Sequence, residues 1–242
     1  MCAWEIFSCI LNGGTLYLRG SRRSDWIRVM KTVDVVVATP SILQSHHPED
    51  YPNLKVVATA GEPCPRSLAD RWSVTALFYN CCGPTEVCAP STNLYHTSTR
   101  LYSAQQVTIV NTMHLHQPGS PITIGRPTPN NSVYVLDEFL HPVPLGEVGV
   151  MWAGGSGISL GYLNRPDLTN TRYKNDPFCS SGYVAIKSYS SRLTYRLFRG
   201  MMFNTGDLGR VREDGAIEHF GRIDDQVKVK VITKEPNILN AL

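Results

Sequence analysis

Residues 54–86 read LKVVATAGEPCPRSLADRWSVTALFYNCCGPTE. The stretch 54–59 is a short apolar run with β-branched residues, a strand closed by Ala60-Gly61-Glu62-Pro63. Residues 65–72 read as a helix and residues 75–79 as a further strand, with 80–86 the loop behind it. Strand, helix, strand, with loops at the strand ends, is the pattern of an α/β domain with a parallel sheet.

Working outward, residues 24–32 (SDWIRVMKT) open with a Ser/Asp cap and carry apolar residues at helical spacing. Residues 33–38 (VDVVVA) are a buried-strand signal that ends at Thr39-Pro40, and residues 41–45 open another helix. After about residue 120 the pattern changes. Residues 132–137, 146–153, 215–220 and 226–231 are short strands separated by turns, which predicts a small distorted β-barrel beside the α/β part. Residues 118–129, rich in Pro and Gly, read as the linker. The expected division is an α/β portion over 1–118, a barrel portion over 119–223, and the start of a further subdomain over 224–242.

The composition is that of a globular chain: 242 residues, 42% hydrophobic and 18% charged. A balance of 23 basic against 20 acidic residues, net +3, with no long basic run, does not point to nucleic acid. No apolar run reaches the roughly eighteen residues that span a membrane, and residues 1–10 lack a basic leader and carry Glu5. Seven cysteines, an odd number with Cys81 and Cys82 adjacent, fit reduced cytoplasmic thiols better than a disulfide framework. Zinc-ligand spacing is absent.

Ligands of open α/β sheets bind at the C-terminal ends of the strands. Two loops fall there, residues 59–63 and residues 80–86. Glycine lets a flat or anionic ligand approach the backbone. Thr85 offers a hydroxyl suited to a phosphate oxygen, and Glu86 a hard oxygen suited to magnesium. Taken singly, each loop also reads as a plain turn.

The order of motifs says more. Trp4-Glu5-Ile6-Phe7 comes first, followed by the 59–63 and 80–86 loops, then Gly146-Glu147 leading into the glycine-rich stretch 154–166. Thr205-Gly206-Asp207-Leu208 follows, and Gly221-Arg222-Ile223-Asp224-Asp225-Gln226-Val227-Lys228 closes the series. This series resembles, in order, the core motifs of nonribosomal peptide synthetase adenylation domains, members of the adenylate-forming superfamily that includes acyl-CoA synthetases and luciferases.

The resemblance implies roles. Asp207 matches the ribose-binding aspartate, and Arg222 an arginine near ribose and phosphate, where a permanent cation suits an anion. Asp224 matches the hinge of the C-terminal subdomain. Gly61 and Glu62 match the stretch along the adenine, and Asn80 a polar adenine contact. Cys82 stands where the family has a stacking tyrosine, and His219 where a second flanking aromatic often lies. Trp4, Val37, Ala58, Ala60, Cys81, Ala89 and Pro90 fall at or near acid-pocket positions; each also reads as ordinary core packing. The implied reaction joins a carboxylic (amino or aryl) acid to MgATP as acyl-adenylate, then passes the acyl group to the phosphopantetheine thiol of a carrier-protein domain.

The family pattern also includes an upstream Ser/Thr/Gly phosphate loop, an amino-anchoring aspartate before Met1, and a C-terminal subdomain with the catalytic lysine beyond Lys230. Against that pattern the chain reads as a truncated fragment, inactive alone, and the alternative reading is a non-catalytic remnant with at most weak nucleotide binding. Residues 182–199 (GYVAIKSYSSRLTYRLFR) lack a hydrophobic period and read as a translated intron.

Overall fold

The computed structural model describes residues 2–18, 20, 22–84, 86–87, 110–155, 157–179, 200–223, 227–229 and 232–234. Thr85, Ala89, Pro90, Asp224 and the 182–199 segment singled out above lie outside the described residues. In chain order the elements are α1 (Cys2–Leu11), α2 (Arg23–Met30), β1 (Val35–Ala38), α3 (Pro40–Gln44), β2 (Val56–Thr59), α4 (Arg66–Ser73), β3 (Leu77–Cys82), β4 (Thr112–Leu115), β5 (Arg126–Pro127), β6 (Asn131–Leu136), β7 (Val148–Gly155), α5 (Pro166–Arg172), β8 (Tyr173–Asn175), β9 (Met201–Val211), β10 (Ile217–Arg222), β11 (Val227–Val229) and β12 (Ile232–Lys234).

The first sheet has the order β1-β2-β3-β4-β5. β1, β2 and β3 are parallel, as the opening stretch requires, and their register sets Ala38, Thr59 and Asn80 side by side. All four positions of β2 are buried, as expected of a central strand covered on both faces. One cover is α4, whose Leu68, Ala69 and Trp72 share a buried face and pack with Val57, Phe78, Leu43 and Met30. β3 continues through Cys82, so Asn80, Cys81 and Cys82 are strand and not loop. The partner is β4, which runs antiparallel and sets Cys81 opposite Met113 and Cys82 opposite Thr112.

The second sheet is antiparallel, with the order β10-β9-β7-β6 and β8 on β9. Its two faces alternate along the strands: Val135 and Met151 point to one core with Ile124 and Ile217, while Leu136 and Trp152 point to another with Met202. Among the described residues no pairing joins β6 to β10, so the sheet is open there, not a closed barrel. The two sheets meet through the expected linker. Gly125 bridges Ile217 of β10, and the Asn80 amide donates to the Thr123 carbonyl at 2.8 Å. No helix among the described residues is long and apolar enough to cross a membrane.

Candidate functional site

The tightest convergence of expected residues lies on the second sheet. The eleven-residue β9 pairs with β7 along one side and with β8 and then β10 along the other. A register shift in β10 between His219 and Arg222 sets Arg222 directly opposite Asp207. Arg222 Nη1 donates to Asp207 Oδ1 at 3.0 Å and to the Thr205 carbonyl at 2.9 Å. His219 Nε2 stands 3.6 Å from the same Oδ1. No hydrogen bond to Asp207 Oδ2 is found among the described residues. Asp207 is thus held by one oxygen and presents the other. Gly206 has a φ of +74°, and a Cβ there would meet Arg222 and Arg172.

A second grouping joins five of the expected pocket residues. Trp4, Ala58, Ala60 and Cys81 are buried in one cluster with Val110, and Val37, Tyr79 and Met113 pack against it. Burial pushes the Cys81 thiol well up, so it stays protonated and apolar in character. Its neighbour Cys82 points the other way, against the core of Ile124, Val135, Met151 and Ile217. The two residues face opposite sides because successive strand side chains alternate.

The remaining residues have partners of their own. Gly61 takes a φ of +88°, which turns the chain after β2. The Glu62 carboxylate accepts from the backbone N–H and the hydroxyl of Ser41, satisfying a donor at the start of α3, where Thr39 makes no side-chain cap. Asn80 is buried and donates its amide across to the linker. Glu86 Oε1 accepts from the Tyr162 hydroxyl at 2.6 Å, and its backbone carbonyl from the Ser159 N–H at 2.9 Å. Among the described residues no group of three or more His, Cys, Asp or Glu side chains is placed to hold a metal.

Two residues here carried no signal of their own in the sequence. Tyr162 lies inside the glycine-rich stretch, which lacks the Lys-Ser/Thr ending of a phosphate loop, and Arg172 ends α5, an element not expected at all. Docking of α5 beside β9 brings Arg172 to Gly206, and docking of the 157–162 turn brings Tyr162 to Glu86.

The chain matches the family described as AMP-binding enzyme over residues 1–163. Among curated relatives, adenylate-forming reductase 06235 of Coprinopsis cinerea is 50% identical over 228 residues, 94% of this chain and 19% of that protein. Nonribosomal peptide synthetase 5 of Aspergillus fumigatus is 34% identical over 229 residues, 95% of this chain and 9% of that protein. The chain therefore spans a fifth or less of the length of these relatives. Among solved structures, PA1221, an NRPS protein containing adenylation and PCP domains, superposes with a TM-score of 0.69 at 21% identity, covering 95% of this chain and 42% of that one. With two thirds of its length matching the family and relatives of the expected kind along nearly all of it, the chain belongs to the AMP-binding enzymes.

Proposed function

We propose that this chain is part of an adenylation domain, in which a carboxylic acid is activated with MgATP as an acyl-adenylate and handed to a carrier-protein thiol. The observation that carries the reading is the buried Asp207 carboxylate, fixed through Oδ1 by Arg222 and with no hydrogen bond at Oδ2 among the described residues. A carboxylate oxygen so oriented can accept from the hydroxyls of a ribose, and the adjacent guanidinium favours phosphate. His219, beside that carboxylate, flanks the base, while Cys82 supplies no stacking ring. Gly61 and Glu62, in the turn after β2, and Asn80, which pairs with Thr59 at the end of that strand, lie along the adenine. Trp4, Val37, Ala58, Ala60 and Cys81 line the acid pocket, to which the resemblance alone also assigns Ala89 and Pro90. Asp224 is the hinge, and the open second sheet is part of a small distorted barrel.

The donors fit a magnesium ion delivered with its nucleotide. Such an ion is held by one or two carboxylates plus substrate phosphates, and Glu86 supplies one carboxylate with Oε2 uncommitted among the described residues. Thr85 adds a hydroxyl for a phosphate oxygen. Magnesium would supply charge neutralisation on the phosphates; the protein's contribution is orientation of the acid and the nucleotide.

A second reading concerns the fate of the acyl group. Identity is 50% to an adenylate-forming reductase and 34% to a peptide synthetase, which favours delivery of the activated acid to a reductive step over a peptide-forming one. The test of the shared nucleotide site is titration of labelled ATP or an acyl-adenylate analogue against the chain and its Asp207→Ala variant. Loss of a charge-assisted hydrogen bond costs about 1.5–3 kcal/mol, a weakening of roughly 10–150-fold. Equal affinity of the two proteins would sink the assignment. Pyrophosphate exchange with a panel of amino and aryl acids separates an active domain from a remnant that only binds nucleotide.

A further inference from the structure

Glu86 does not stand alone in the fold. Its Oε1 accepts the Tyr162 hydroxyl at 2.6 Å, the short range of a charge-assisted O–H···O⁻ bond. The Tyr162 side of this bond is held from three directions. The Tyr162 backbone N–H donates to Thr169 Oγ1 at 2.9 Å, and the Thr169 hydroxyl donates to the Arg165 carbonyl at 2.9 Å, which fixes the residue on α5. The Tyr162 ring meets the Tyr173 ring edge-on, with centroids 5.9 Å apart. The main chains of the two loops are also joined, by the Val87–Ile158 bridge and by the Ser159 N–H to the Glu86 carbonyl. The phenol is therefore a fixed donor and not a free rotor.

We infer that Tyr162 is the positioning residue that aims the Glu86 carboxylate at the divalent cation, occupying Oε1 so that Oε2 is the oxygen presented. The inference rests on the reading of Glu86 as the magnesium-side carboxylate. A lone carboxylate on a turn rotates about its last torsion and offers either oxygen to an ion that demands near-octahedral geometry. A fixed donor on one oxygen removes that freedom, which is how outer-shell partners set metal affinity.

Tyr173 provides the control. Its hydroxyl bonds Ser159 Oγ at 2.7 Å and its ring packs in the same cluster, but it has no hydrogen bond to Glu86. The experiment titrates Mn²⁺ against the 242-residue chain in the presence of ATP, reading free Mn²⁺ by electron paramagnetic resonance. Tyr162→Phe is expected to weaken Mn²⁺ uptake about 10–100-fold, the range for loss of an outer-shell partner, with metal-free ATP binding unchanged. Tyr173→Phe leaves Mn²⁺ uptake as in the unaltered chain, and Glu86→Gln abolishes it. Equal uptake by Tyr162→Phe and Tyr173→Phe, with uptake lost in Glu86→Gln, overturns the role of Tyr162 and leaves the metal reading standing. Undiminished uptake in Glu86→Gln, or none by the unaltered chain, overturns the metal reading and the inference with it. A second measurement on the unaltered chain covers poor folding of the variants. With ¹³Cζ-labelled tyrosine, the assigned Tyr162 phenol resonance should shift when Mg²⁺ joins ATP, and its failure to move counts against the inference.

Discussion

Replacing Gly206 by alanine is the sharpest probe of the Asp207 cluster. The glycine lies at φ +74°, and a Cβ there would fall 2.6 Å from Arg222 Nη2 and 3.1 Å from Arg172 Nη1. A guanidinium ordinarily swings away from such a contact. That of Arg222 is anchored through Nη1 to the Thr205 carbonyl at 2.9 Å and to Asp207 Oδ1 at 3.0 Å, so giving way means breaking those bonds. The left-handed conformation costs about 1–2 kcal/mol for an L-residue, and a lost hydrogen bond to a charged group about 1.5–3 kcal/mol. Together they make about 2.5–5 kcal/mol, a fall in Tm of roughly 5–20 °C at this chain length. Urea denaturation followed by circular dichroism measures the difference. The decisive comparison is a double-mutant cycle with Arg222→Ala, in which the 2.6 Å clash is gone and what remains is the conformational cost of about 1–2 kcal/mol, with a 3.1 Å contact to the end of the Arg172 side chain. If Gly206→Ala costs the same with and without the arginine, the steric argument is wrong.

Other substitutions test the frame around the site. Gly125→Ala at φ +79° would set its Cβ 1.9 Å from the Met113 carbonyl oxygen, a backbone atom that cannot swing aside; the loss should exceed about 4 kcal/mol and appear as insoluble protein on expression. Glu62→Ala removes the acceptor at Ser41 and should lower stability by about 0.5–2 kcal/mol, read by thermal melting with an unchanged far-ultraviolet spectrum. The hydrogen bond from His116, with that from the Gly119 N–H, holds the Asp70 carboxyl below its ordinary value of 3.8. A depressed carboxyl contributes stability above its unfolded pKa and loses it as pH falls through the folded one, so Asp70→Asn should flatten the acid limb of stability below about pH 4. An unaltered acid limb in that variant would count against the pairing.

The parallel core was legible because β1 and β2 are short apolar runs closed by Pro or Gly, with no competing helical period. The end of β3 was not, because Cys81 and Cys82 lie beyond the reach of β2 and pair only with β4, far along the chain. β9 is hidden for a related reason: Asn204, Gly206 and Asp207 are poor strand formers, kept extended by β7 on one side and by β8 and β10 on the other. Asp207, His219 and Arg222 could be named from motif order, and the fold brings them together. Tyr162 and Arg172 could not, since their importance arises from where α5 docks, and no local pattern encodes that.

The opposed facing of Cys81 and Cys82 has a consequence for how such a protein can change. The side chains touching the Trp4 cluster and those touching the core beneath the Asp207 strands occupy adjacent codons, yet share no contact surface. A point substitution at either position alters one side and leaves the other intact, so the two clusters can drift separately. A single-residue insertion or deletion in the strand reverses the parity and exchanges both at once. Selection along this stretch should therefore tolerate substitutions freely and changes of length hardly at all.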